Sequence, residues 1–208
     1  PNTFVLGCMP YQSYNTSENA LKNASRLMQD AGCDAIKAQG GKTQKNILKS
    51  MVDSGIPTAS HIGLKPHFIA MYGGFKLQGK TAEDAMIILE DALAIQDAGC
   101  FMLEFEAVPG KIASLISNQL EIPTLGVGAG IGCDGQILLC YDLLGVFTDF
   151  KPKFTKRFSN VTEVAVKGIK EYAGEVRNKT FPDDDHTYGV DDKEYEKFLT
   201  MIEKRKHI

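Results

Sequence analysis

No stretch of this sequence approaches 18 consecutive apolar residues, so it carries no helical membrane span. No basic stretch followed by an apolar core is visible near its beginning, so no secretory signal is expected. The basic excess that phosphate backbones demand is missing too. Asp and Glu number 26 against 23 Lys and Arg, a net charge of −3, which argues against nucleic acid as the main partner. The five cysteines are odd in number and form no CxxC pair, which fits reduced thiols in a cytoplasm better than a disulfide framework. What is present is a chain of 208 residues, 43% hydrophobic and 24% charged, large enough for one globular domain with a real core.

A repeat of amphipathic helix, glycine and short apolar strand organises the chain. Ala20, Leu21, Ala24, Leu27 and Met28 recur at helical spacing across residues 16–31, with Asn15, Thr16 or Ser17 to cap the start and Gly32 at the end. A strand over 34–38 follows. Ile47, Leu48, Met51 and Val52 mark a second helix that stops at Gly55, ahead of a strand over 57–61. Thr81 and Asp84 have capping-box spacing, and their helix carries Ala85, Ile88, Leu89 and Ala92 before Gly99 and a strand over 101–106. Pro109 sets the first turn of a helix with Ile112, Leu115 and Ile116, followed by a strand over 123–127. The phrase Asp-Ala-Gly-Cys stands at two helix-to-strand junctions, 30–33 and 97–100.

Strands alternating with helices predict right-handed βαβ units and a parallel sheet. Residues 1–8 open as a strand, 135–140 supply a sixth, and an insertion over 62–80 lengthens one βα loop. The spacing predicts an α/β fold, a TIM-type (β/α) barrel ahead of a doubly wound sheet. Six strands stand where a closed barrel takes eight and usually about 250 residues, so the chain is expected to begin inside a barrel, incomplete at its N-terminus. Beyond Phe150, Val161, Val164, Ala165 and Tyr172 predict a further helix. Tyr195, Phe198, Leu199 and Ile202 form an apolar stripe that docks on its own barrel or on a neighbouring subunit. The expected division is a barrel domain over 1–188 and a C-terminal helical tail over 189–208.

Reactive groups of a (β/α) barrel stand at the carboxyl ends of its strands and in the loops that follow. That rule selects Cys8, Lys37, Gln39, His61, Glu106, the glycines 126, 128 and 130, and the loop Gly73 to Gly79. Glu106 ends a strand, where a half-buried carboxylate can abstract a proton or sit as a salt-bridged rim residue. Glu104 is expected to face away from it, with Glu106 pointing inward as the one nearer the strand end. Lys37 lies inside an apolar strand and needs a partner, which a substrate carboxylate or a developing enolate would supply. His61 either hydrogen-bonds a substrate oxygen or is a satisfied core histidine. Gly126-Val-Gly-Ala-Gly130 lacks GxGxxG spacing, so it is a weak dinucleotide signature but open as a phosphate-gripping loop. Lys151, Lys153, Lys156 and Arg157 meet an anionic cofactor tail or form a solvated face. His67, His186 and His207 show no metal-ligand spacing.

Seven segments in series resemble the ketopantoate hydroxymethyltransferase (3-methyl-2-oxobutanoate hydroxymethyltransferase) family. They are Ile36-Lys-Ala-Gln-Gly-Gly41, Ser60-His-Ile-Gly-Leu-Lys-Pro66, Gly73-Gly-Phe-Lys-Leu-Gln-Gly79, Glu104-Phe-Glu-Ala-Val-Pro109, Gly126-Val-Gly-Ala-Gly130, Asp134-Gly-Gln-Ile-Leu138 and Lys151-Pro-Lys-Phe154. The resemblance implies a barrel enzyme of pantothenate biosynthesis. Such an enzyme moves one carbon from 5,10-methylenetetrahydrofolate to 3-methyl-2-oxobutanoate, giving 2-dehydropantoate. It also implies a Mg²⁺ ion that chelates the 2-oxo acid, Glu106 as catalytic base, Lys37 and His61 as substrate-binding residues, and a cytoplasmic homo-oligomer. The family's first two strands, with a metal-binding Asp, have no counterpart here. Its Asp-Leu/Met-Pro ligand motif reads Cys8-Met9-Pro10, and the Glu of its Lys-x-Glu-Gly-Gly reads Gln39. Mg²⁺ prefers charged oxygen, so Cys8 and Gln39 are expected to be degenerate metal positions. Four functions compete on these grounds: a working transferase, alone or completed by a separate N-terminal polypeptide; a non-catalytic truncated paralogue; a scaffold subunit that assembles with an intact homologue; and an unrelated phosphate-binding barrel.

Overall fold

The computed structural model describes residues 3–205; Pro1, where the first strand was expected to open, and His207 lie outside the described residues. Six strands pair in chain order and all in parallel: β1 (Leu6–Cys8), β2 (Ala35–Gln39), β3 (Thr58–Gly63), β4 (Met102–Glu106), β5 (Thr124–Val127) and β6 (Gly135–Gln136). Among the described residues β1 and β6 do not pair, so the sheet is an incomplete TIM-type barrel. Helices follow the strands: α1 (Ser17–Gln29), α2 (Lys45–Asp53), a short α3 (Ile69–Tyr72), α4 (Ala82–Asp97) and α5 (Gly110–Ser117). After β6 come a single turn α6 (Cys140–Leu143) and two longer helices, α7 (Val161–Asn178) and α8 (Asp192–Arg205).

The capping residues act as their chemistry requires. Thr16 and Thr81 are extended, and each side-chain oxygen accepts the backbone N–H three residues on, from Asn19 and Asp84. Gly32 and Gly99, from the repeated phrase, have φ of +69° and +84°, the left-handed turn that lets the chain leave a helix for a strand. Every residue of β3 is buried, as expected for a strand covered on both faces, and Ile36, Ile62, Leu103 and Phe105 are fully buried in the core. The helical faces close this core with Ala20, Ala24, Leu48, Met51, Ile88, Ala92, Ile95 and Ile116.

Two expectations change in extent. The opening strand shrinks to Leu6–Cys8, and the strand expected over 135–140 is two residues long. Ile137 still donates to the Gly126 carbonyl, but β5 ends at Val127, so the ladder has no further partner and the chain turns into α6.

The chain forms two compact units, Pro1–Leu143 with Phe150–Lys156, and Leu144–Asp149 with Arg157–Ile208. The second holds α7 and α8, in which no residue is buried, and a cluster where Phe181 meets the rings of Tyr172 and His186. No helix among the described residues is long and apolar enough to cross a membrane.

Candidate active site

Register places the chemistry. Across the carboxyl ends of the central strands, Gln39 lies opposite His61, His61 opposite Glu104, and Gly63 opposite Glu106, while Cys8 lies opposite Lys37 on the neighbouring edge. Side chains two residues apart on a strand share a face. Glu104 and Glu106 therefore both point into the site, which corrects the expectation that Glu104 faces away. The period of two settles this, and the strand end does not reverse it.

Lys37 Nζ donates to Glu104 Oε2 at 2.6 Å, and the Glu104 side chain is only 4% exposed. His61, 2% exposed, stands between the two carboxylates: Nδ1 lies 3.5 Å from Glu104 Oε1 and Nε2 lies 3.1 Å from Glu106 Oε2. Nε2 also lies 2.9 Å from the Leu64 carbonyl. Lys37, His61 and Glu106, all selected from the sequence, are thus brought to one place, with Glu104 joining them.

The chain after β3 shapes the rim. Gly63 has φ +82°, and a Cβ there would come within 2.3 Å of the Glu106 carbonyl oxygen, which accepts the Leu64 N–H at 2.8 Å. Ala107 is held at φ +49° by its own N–H to Val127 and by the Gln78 N–H on its carbonyl, which fixes the direction in which Glu106 leaves the sheet. His67 and Tyr14, which carry no sequence signal of function, complete this side. The Tyr14 hydroxyl is 2.7 Å from His67 Nδ1, and burial pushes the Tyr14 phenol up to about 12. The His67 pKa is lowered by burial first and then by the nearby His61 and Lys37. Lys65 is lowered by burial and stands 5.0 Å over the Phe68 ring.

The remaining candidates go elsewhere. A Cβ at Gly128 would lie 2.5 Å from the Phe154 ring, and Gly130 packs against the backbone of Gly110, so these glycines admit close packing. Arg157 donates to the Phe147 carbonyl within the second unit, while Lys151 and Lys153 are exposed. All five cysteines are free.

A sequence profile described as ketopantoate hydroxymethyltransferase matches residues 1–184. This chain belongs to that family. It is 74% identical over 208 residues to "3-methyl-2-oxobutanoate hydroxymethyltransferase 1" of Methylibium petroleiphilum, covering 100% of this chain and 71% of that one. To the 3-methyl-2-oxobutanoate hydroxymethyltransferase of Nitratidesulfovibrio vulgaris strain DP4 it is 42% identical over 205 residues, 98% of this chain and 67% of the relative. To that of Clostridium novyi it is 46% identical over 197 residues, 94% of this chain and 72% of the relative.

The ketopantoate hydroxymethyltransferase resemblance implies magnesium, and the residues at the two degenerate positions do not fit it. Burial raises the Cys8 thiol above its ordinary pKa, so it stays protonated and neutral. The Gln39 carboxamide oxygen is already committed, accepting the His67 backbone N–H at 2.9 Å. A neutral thiol and an occupied amide are poor ligands for an ion that prefers anionic oxygen.

Proposed function

We propose that this chain acts on a small 2-oxo acid, moving one carbon from 5,10-methylenetetrahydrofolate to C3 of 3-methyl-2-oxobutanoate to give 2-dehydropantoate. The observation that carries the reading is the convergence of Lys37, His61 and Glu106 at the strand ends of a chain from the ketopantoate hydroxymethyltransferase family. The Lys37 ammonium is suited to the substrate carboxylate. His61, between the two carboxylates, is suited to help hold a substrate oxygen. Glu106, the more exposed of the two carboxylates, takes the C3 proton and leaves an enolate. Water opens both carbon–nitrogen bonds of the folate methylene, releasing tetrahydrofolate and one carbon at the formaldehyde level. The C3 carbanion adds to that carbonyl, and the alkoxide formed takes a proton to give the hydroxymethyl group. No step is assigned to magnesium, because its positions do not fit.

The neutral groups at Cys8 and Gln39 favour one second reading: a paralogue that binds the 2-oxo acid without turning it over. Exchange of the C3 proton in D₂O, followed by NMR with and without Mg²⁺, separates the two, with calorimetric binding of 3-methyl-2-oxobutanoate measured alongside. Exchange supports the transferase. Binding without exchange under either condition moves the chain to the second reading, and no binding overturns both.

A further inference from the structure

We propose that His61, Glu104 and Glu106 form a site for a borderline divalent cation of the zinc or cobalt type, separate from the degenerate positions Cys8 and Gln39. One donor atom from each of the three residues lies within 4.8 Å of the other two. Carboxylates gathered together would not by themselves make a site; the buried imidazole supplies the second observation. His61 Nδ1 is buried and has no hydrogen-bond partner among the described residues. The Leu64 carbonyl, which only accepts, faces Nε2 at 2.9 Å and places the ring proton there. Nδ1 is then the nitrogen turned toward Glu104, held 3.5 Å from its Oε1, beyond ordinary hydrogen-bond distance. A buried ring nitrogen and a buried carboxylate oxygen at that spacing leave room for a positive group to join them.

The surroundings match what ligating groups require. A ligating histidine commonly donates its other N–H to a carbonyl, as Nε2 does to Leu64. Lys37 occupies Glu104 Oε2 and leaves Oε1 for a cation, so the ligating carboxylate is oriented by a neighbour. Adjacent ligands of a tetrahedral zinc lie about 3.4 Å apart, given bonds near 2.0–2.1 Å. The 3.5 Å between Nδ1 and Glu104 Oε1 is already that edge. Glu106 sits at the rim with Oε2 3.1 Å from Nε2, so its side chain has to turn toward Nδ1 to supply the third corner, leaving a fourth position for water. Two carboxylates face one ammonium, so the cluster is short of positive charge. An imidazole among the donors selects zinc or cobalt over magnesium.

The proposal stands apart from the proposed reaction, since occupancy is read without turnover. A Glu106 bound to a cation is not free to take a proton, so the two roles compete for one residue.

The test uses the full chain, stripped with a chelator and titrated with Co²⁺ by visible absorption and with Zn²⁺ by calorimetry. One equivalent is expected to bind, with a tetrahedral cobalt spectrum and a zinc-dependent shift of the His61 ring nitrogens by NMR. Glu106→Gln and Glu104→Gln are each expected to weaken binding by at least about 10-fold, and Cys8→Ser to leave it unchanged. Circular dichroism establishes that each variant is folded. Should Glu104→Gln fail to fold, Glu106→Gln and the His61 shift decide. Absence of saturable binding overturns the proposal, as does binding that survives Glu106→Gln or disappears in Cys8→Ser.

Discussion

Glu106 and Lys37 carry opposite kinds of consequence. Replacing Glu106 by Gln keeps its shape and removes the base, so C3 exchange is expected to fall by about 10²–10⁴-fold while 2-oxo acid binding stays within a few fold. NMR exchange rates and calorimetry check the two halves. Lys37 is the ion partner of a buried carboxylate, and Lys37→Met strands Glu104. A loss of about 3–5 kcal/mol in urea unfolding is expected, much of it recovered when Glu104→Met is added. Lys37, His61 and Glu106 were legible in the sequence because each ends or interrupts an apolar strand. Glu104 was equally legible, since residues 104 and 106 share a face by strand period alone. What no sequence signal carried was Gln39 spending its oxygen on His67, a contact across 28 residues of chain.

Among the elements, the turn after β3 matters most to the site. At Gly63 a Cβ meets the Glu106 carbonyl at 2.3 Å, whereas at Gly55, with a similar φ of +81°, it meets nothing within 4 Å. Gly55→Ala is expected to cost about 1 kcal/mol of backbone strain, and Gly63→Ala clearly more while also displacing Glu106. Thermal unfolding of the two variants makes the comparison. The entry to β5 is held by Asp134, whose carboxylate accepts from both the N–H and the hydroxyl of Thr124. Those hydrogen bonds lower its pKa, the Thr124 N–H first. A lowered folded pKa contributes stability above the unfolded value near 3.9, lost as pH falls through the folded one. Asp134→Asn is therefore expected to flatten the acid limb of a stability–pH curve. Helices α1, α2, α4 and α5 were visible from the 3.6 period and their caps. The extent of β6 was not, because an apolar run needs a neighbouring backbone before it is a strand.

At the scale of the whole molecule, six parallel strands bring together groups from β1, β2, β3 and β4. Millimolar Mg²⁺ is expected to leave the melting temperature unchanged, because neither Cys8 nor Gln39 offers an anionic oxygen. The double variant Cys8→Asp with Gln39→Glu is expected to gain a Mg²⁺-dependent rise, measured by differential scanning calorimetry. By itself the sequence determined the alternation of helix and strand, the parallel sheet and the family, because periodicity, caps and ordered motifs are properties of neighbours along the chain. Only the tertiary structure decided that His61 stands between two glutamates with one nitrogen unpaired among the described residues, and that Gln39 is already bonded. Those facts depend on strand register and loop return, which bring residues far apart in the chain within a hydrogen bond of one another.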